Sequence, residues 1–347
     1  MAASHLEREI REQPQVLRRL LEAERQTVGR VVRAIREADP EYVVIAARGS
    51  SDNAARYGKY LFGAANRLPV ALATPSLFTR YDSPPRLEGA LVLAVSQSGQ
   101  SPDISAVVAE GRRQGALTVA LTNDLGSPLA QASQHVIQLH AGTERSVAAT
   151  KTYTASLMAL AMLSVALAQD EERFEVLRSI PDRLDGVIDS VPDVVAAAER
   201  YRYMDACVVI SRGYNYATAY EIALKLKELT YILAEPYSSA DFRHGPLALV
   251  ERGFPVLAVI PEGEMTEELI ELLVQLEGRG AELVVVSALG RALSLAQTPL
   301  PLPSRIPEWI SPLVTVVPGQ IFSLGLTLTR GLDPDHPRGL RKVTLTE

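Results

Sequence analysis

The feature that most restricts this 347-residue chain is that it holds the same arrangement twice. VVIAARGSSDNAARYGKYLF (43–62) and CVVISRGYNYATAYEIALKLKE (207–228) share one layout: a β-branched run, Arg-Gly, a small polar turn and a helical pattern. LVLAVSQSG (91–99) then corresponds in position to PVLAVIPEG (255–263), and LTVALT (117–122) to ELVVVS (282–287). The offset stays near roughly 164 residues, which marks a duplicated supersecondary module. Within each copy short apolar runs alternate with helical patterns, as βαβ units and a parallel sheet require. PVALA (69–73) and HVIQLH (135–140) add short strands to the first copy. The chain therefore reads as α/β, with two similar doubly wound parallel-sheet subdomains related by duplication. The expected divisions are a helical segment at 1–37 interrupted at Pro14, subdomains at 38–190 and 191–330, and a C-terminal tail at 331–347. The proline-rich stretch 301–347 carries one more helical segment, near 318–330.

Composition excludes several classes of function. Apolar residues at 47% and charged residues at 22% are those of a globular protein. A net charge of −6 lacks the basic excess that nucleic-acid or anionic-membrane partners select. MAASHLEREIREQP has no apolar signal region, and the longest apolar run, Ala155–Ala168, is shorter than the ~20 residues of a membrane span. That run is expected to be a buried helix, and the chain to be cytoplasmic. The single cysteine, Cys207, excludes an internal disulfide framework and sits in the apolar run CVVI as a core residue. The five histidines (His5, His135, His140, His244, His336) show no i,i+4 pairing and no neighbouring cysteine. Neither a metal nor a cofactor is expected.

Ligands of parallel α/β sheets bind outside the carboxyl ends of the strands. Two turns of the first copy stand there. Ser96-Gln97-Ser98-Gly99-Gln100-Ser101 follows LVLAV and precedes a helix, with Ser101 at the N-cap position, Pro102 first in the helix and Asp103 in its first turn. Free backbone N–H groups and the helix dipole suit an anion, and the crowd of hydroxyls and amides suits a sugar phosphate. A capped βα turn with solvent-facing serines fits the same residues. In the second turn, Arg48-Gly49-Ser50-Ser51, Ser51 either reaches a ligand or caps a helix at 52–64. AGTERSVAATKT (141–152) is a third polar segment, notable for Glu144 and Lys151.

In Glu221–Pro246 an amphipathic helix is expected to lead into a polar loop. Ile222, Leu226, Leu229 and Leu233 form an apolar stripe; Glu221, Lys225 and Glu228 lie beside it, with Ile232 a turn further on. His244 follows in the loop. Spacing alone favours a surface Glu–Lys pair and a solvated histidine. A carboxylate flanked by apolar surface is also how a usable base is made.

Taken together, SQSGQSPD, AGTERSVAATKT, EIALKLKE, RHGPLAL, PRGLRKVTLTE and the opening EREIREQP resemble the sugar isomerase (SIS) domain family. Within it they are most similar to the isomerase half of glucosamine-6-phosphate synthase and the deaminases related to it. The resemblance covers nearly the whole chain and implies two SIS subdomains. It assigns Ser96, Gln97, Ser98 and Ser101 to a phosphate cradle with Ser51 near the sugar. It makes Glu228 the base between C1 and C2, Lys225 its support, and His244 the ring opener, reaching the site from a neighbouring subunit of a homodimer. Lys342 resembles a lysine that forms a Schiff base with the keto sugar, and Glu144 and Val147 touch the substrate. Ala149 stands where the synthase pattern has serine, and PYSSADF differs from the synthase's small-residue loop.

A synthase's glutaminase begins with a cysteine after Met, which this sequence does not show. The expected activity is therefore an isomerising deaminase converting glucosamine 6-phosphate and water into fructose 6-phosphate and ammonia. Aldose–ketose isomerisation without loss of the amine and ammonia-dependent synthesis remain alternatives, as does a sugar-phosphate-binding regulator without catalysis. No nucleic-acid or membrane partner is expected.

Overall fold

A strand covered by helices on both faces must be apolar on both faces, which is why the duplicated runs lack polar alternation. The computed structural model describes residues 3–303 and 305–343. Three helices open the chain: α1 (His5–Arg11), α2 (Gln13–Ala23) and α3 (Arg25–Ala38). The first copy follows as β1 (Tyr42–Ala47), α4 (Ser50–Asn66), β2 (Val70–Leu72), α5 (Ser76–Thr79), β3 (Ala90–Val95), α6 (Pro102–Arg113), β4 (Leu117–Thr122), α7 (Pro128–Ala132) and β5 (His135–Gln138). Helices α8 (Lys151–Ala168), α9 (Glu171–Ile188) and α10 (Val191–Ala198) come next. The second copy is β6 (Ala206–Ser211), α11 (Tyr216–Thr230), β7 (Leu233–Ser238), α12 (Ser239–Arg243), β8 (Pro255–Ile260), α13 (Thr266–Gly278), β9 (Glu282–Ser287), α14 (Gly290–Leu293) and β10 (Thr298–Pro301), followed by α15 (Pro312–Thr329).

Two units result, each built on one sheet. Gln13–Glu144, Lys151–Pro181 and Arg341–Glu347 make one; Met1–Glu12, Arg145–Thr150 and Asp182–Leu340 make the other. The first sheet has the order β2-β1-β3-β4-β5 and the second β10-β9-β8-β6-β7, and every strand pair is parallel. Strand order therefore reverses between β1 and β3, and again between β6 and β8. At such switch points neighbouring connections leave in opposite directions and open a crevice.

Each unit has one mostly apolar central helix. Helix α8 is 83% buried and α15 is 89% buried, so both are core helices although their length and hydropathy match a membrane span. In the second unit α15 packs against α11 at Gly319, where an added Cβ would lie 2.4 Å from Ile222 Cδ1. Cys207 is buried in β6, and burial pushes its thiol up to about 12, so it is an inert core residue as its apolar run suggests.

Several local expectations need correction. The stretch after α11 is a parallel strand, β7, and not a polar loop. Helix α11 stops at Thr230 because Tyr231 turns to φ 62, so Ile232 and Leu233 leave the helical stripe; Leu233 is 69% exposed. Strand β10 was not anticipated, since TPLP carries two prolines and reads as a break; at the sheet edge a missing N–H is tolerated. The last helix begins at Pro312, earlier than 318, with Pro318 inside it. Ser51 does not cap its helix, because that helix starts at Ser50 with Gly49 at the N-cap position.

Candidate active site

In the first unit the switch point brings Ser51, at the start of α4, and the turn Ser96–Ser101 to the carboxyl ends of adjacent strands β1 and β3. Gly99 has φ +62 and folds the turn back on itself: its N–H donates to Ser96 Oγ at 3.1 Å, and its carbonyl accepts the Leu129 N–H at 3.2 Å. The Gln97 carbonyl accepts the Asn123 N–H at 3.1 Å, which ties the turn to the end of β4. Ser101 occupies the N-cap position of α6, yet its hydroxyl makes no capping bond, so it is free for a ligand. Arg48 reaches from the end of β1 to the buried Asp103 of α6 at 2.9 Å and locks the two turns together. With this cation spent on Asp103, the turn offers N–H groups and hydroxyls to an anion.

The same unit sets Glu144 and Lys342 together. Lys342 Nζ donates to Glu144 Oε2 at 2.6 Å; Thr152 Oγ1 donates to that oxygen at 2.7 Å, and the Thr152 N–H donates to Oε1 at 3.1 Å. The Glu144 carboxylate thus sits on the first turn of α8, where the helix dipole favours negative charge. Lys151 Nζ donates to the Thr143 carbonyl at 2.8 Å, which fixes the approach to Glu144. Gln97 and Glu144 line one open cavity of about 600 Å³ with Asn123, Gln138, His140 and Thr143. Its volume lies within the range of small-ligand pockets.

In the second unit α11 carries a buried ion triad. Lys225 is 1% exposed, with its Nζ 2.6 Å from Glu228 Oε2 and 3.4 Å from Glu221 Oε1; the Glu221 side chain is fully buried and that of Glu228 is 23% exposed. The surface-pair alternative is therefore excluded. Two carboxylates share one ammonium, and only Glu228 keeps a path to solvent. Removing Lys225 would strand buried negative charge at a cost of about 3–5 kcal/mol. His244 ends α12 with an exposed imidazole, and Gly245 beside it has φ +141. Val147 is half-buried in the loop 145–150. Among the described residues no acidic, histidine or cysteine cluster is arranged to hold a metal ion.

The second copy's own turns are spent on internal bonds. Arg212 pairs with Glu268 of α13 at 2.7 Å, repeating the Arg48–Asp103 bridge. Asn215, the counterpart of Ser51, donates to Ser311 Oγ at 2.6 Å and accepts from Thr315 Oγ1 at 2.6 Å. In the turn after β8, Glu308 Oε2 accepts the Glu264 N–H at 2.7 Å, so a carboxylate of the chain lies on the α13 N-terminus. Burial pushes the Glu308 carboxyl above its usual range, with the backbone donors of Glu264 and Met265 opposing the shift.

Sequence reasoning did not find Thr152, Arg48–Asp103 or the buried Glu9. For Glu9 the signal was present, since it lies inside EREIREQP.

Comparison with known proteins identifies the family of the fold. The SIS domain model matches residues 38–166 and 205–325. Glutamine–fructose-6-phosphate aminotransferase (isomerizing) of Thermus thermophilus is 34% identical over 98% of this chain, and the chain spans 58% of that relative's length. A crystal structure from Silicibacter pomeroyi, provisionally described as a phosphosugar isomerase, is 38% identical with a TM-score of 0.86, covering 96% of this chain and 100% of that one. Glucosamine-6-phosphate deaminase from Thermotoga maritima shares the fold at 23% identity, with a TM-score of 0.78 over 99% of this chain and 100% of that one. With two matched copies and two parallel sheets, this chain belongs to the SIS domain family.

Proposed function

We propose that the chain is an isomerising deaminase of an amino-sugar phosphate, taking glucosamine 6-phosphate and water to fructose 6-phosphate and ammonia. The observation that carries the reading is the Glu228–Lys225 pair at 2.6 Å, a carboxylate with one face to solvent and a buried ammonium behind it. Such a group can hold a proton in transit without leaving its place, as transfer between C2 and C1 requires. The turn at Ser96, Gln97, Ser98 and Ser101 takes the phosphate, with Ser51 near the sugar. His244 opens the ring. Glu228 removes the C2 proton and returns it to C1, leaving an imine at C2. Lys342 replaces the substrate amine at C2: its C–N bond forms, ammonia leaves, and water then releases the keto sugar. Glu144, 2.6 Å from Lys342 Nζ, takes the proton whose loss makes this amine nucleophilic. Val147 supplies backbone contacts to the sugar. Water at about 55 M drives the hydrolytic direction by mass action.

A second reading uses the same base: aldose–ketose isomerisation with the amine absent, in keeping with the isomerase description of the Silicibacter relative. Incubation of the purified chain with glucosamine 6-phosphate, following ammonia and fructose 6-phosphate, separates the two. Release of both in equal amounts is expected. Interconversion of hexose phosphates without ammonia would leave only the isomerase reading, and tight binding without turnover would point to a sensor. Glu228→Gln is expected to lower turnover by about 10²–10⁴-fold while phosphate binding stays within a few fold. A loss of binding would make Glu228 structural.

A further inference from the structure

Two carboxylates tie helix α1 down, one received at its N-terminus and one of its own. Asp335 Oδ2 accepts the His5 N–H at 2.8 Å and Oδ1 accepts the Leu6 N–H at 2.9 Å, so a residue of the C-terminal segment caps the helix seven positions before Lys342. One turn on, Glu9 is 4% exposed; its Oε2 accepts the Ser146 N–H at 3.1 Å and its Oε1 accepts the Arg145 N–H. His5, Leu6, Glu9, Arg145, Ser146 and Asp335 lie in one unit. A backbone N–H group shielded from water must find its acceptor within the protein. A carboxylate that holds two consecutive N–H groups, one on each oxygen, fixes both peptide planes with charge-assisted bonds. Those two peptides separate Glu144 from Val147 in sequence. Packing does not depend on Glu9, because Leu6 and Ile10 are the apolar side chains of α1 that are buried, at 1% and 0% exposure.

We propose that Glu9 is a positioning residue for the reaction: by fixing the Arg145 and Ser146 amides it sets the loop that presents Glu144 to Lys342 and Val147 to the sugar. This rests on the reading that Lys342 attacks the sugar carbon and that the loop meets substrate. A carboxylate here acts through the backbone and touches no substrate.

The test compares the full chain with Glu9→Ala and Glu9→Gln. Four quantities are read: inorganic phosphate affinity, kcat and KM for glucosamine 6-phosphate, borohydride trapping of Lys342 by fructose 6-phosphate, and amide exchange at 145–147. Glu9→Ala is expected to keep phosphate affinity within about threefold, to lower kcat and trapping together by about tenfold or more, and to speed exchange at 145–147 by about tenfold. Glu9→Gln falls between, since its amide oxygen keeps one acceptor. Unchanged kcat and trapping in Glu9→Ala overturn the proposal, and so does a parallel loss of phosphate affinity, which marks a general structural role. If wild-type protein does not trap, the Lys342 reading fails on its own. Glu9 is then judged by exchange, and unchanged exchange overturns it.

Discussion

Gly99 shows how little freedom the phosphate turn has. Its φ of +62 disfavours any L side chain, and an added Cβ would lie 2.1 Å from Ser127 Oγ. Ser127 cannot retreat, because its hydroxyl donates to the Asp124 carbonyl at 2.7 Å and accepts the Ala130 N–H at 3.3 Å as the cap of α7. Gly99→Ala should therefore cost about 1–3 kcal/mol of stability and weaken phosphate binding at least about tenfold. Denaturant unfolding and phosphate calorimetry check the two effects. Unchanged affinity would mean that the anion binds elsewhere. The residue that sequence reading weighed least well was Lys225. Its spacing from Glu221 is that of an ordinary surface pair, yet tertiary packing leaves it 1% exposed. Such burial leaves no local pattern. The cradle was easier to read, because a strand, a polar turn and a Pro-initiated helix are neighbours in the chain.

Among the elements, α15 depends on its small residues. At Gly325 an added Cβ would lie 2.8 Å from Val195 Cα and 2.9 Å from its carbonyl oxygen, so α10 approaches backbone to backbone. A backbone cannot rotate away as a side chain can. Gly325→Ala should separate the two helices and cost about 3 kcal/mol, read as a lower urea midpoint with an unchanged slope. A midpoint equal to wild type would mean that the packing is looser than described. The strands divide by visibility in sequence. β1, β3, β4, β6, β8 and β9 are buried on both faces, so their apolar runs announce them. β7 and β10 carry Pro236, or Pro299 and Pro301, at the sheet margins, where one side needs no partner. Edge strands escape the apolar requirement, and with it the pattern that would reveal them.

For the whole molecule the duplication was the most legible property, because it needs only a constant offset. The offset conceals that the copies have diverged in use. Both keep the bridge from the first strand's arginine to the helix after the copy's third strand, at 2.9 Å for Arg48–Asp103 and 2.7 Å for Arg212–Glu268. Only one copy leaves its turn open, since Glu308 lies on the Glu264 amide at 2.7 Å in the other. The consequence is one of counting. A chain with two equivalent halves would titrate two equivalents of phosphosugar, but this one carries its own counterfeit anion in half of them. Calorimetric titration with a phosphosugar should saturate at one equivalent per chain. In Glu308→Ala a weaker second event should appear with inorganic phosphate, and two equivalents in the wild-type chain would show that the carboxylate yields its place to the ligand.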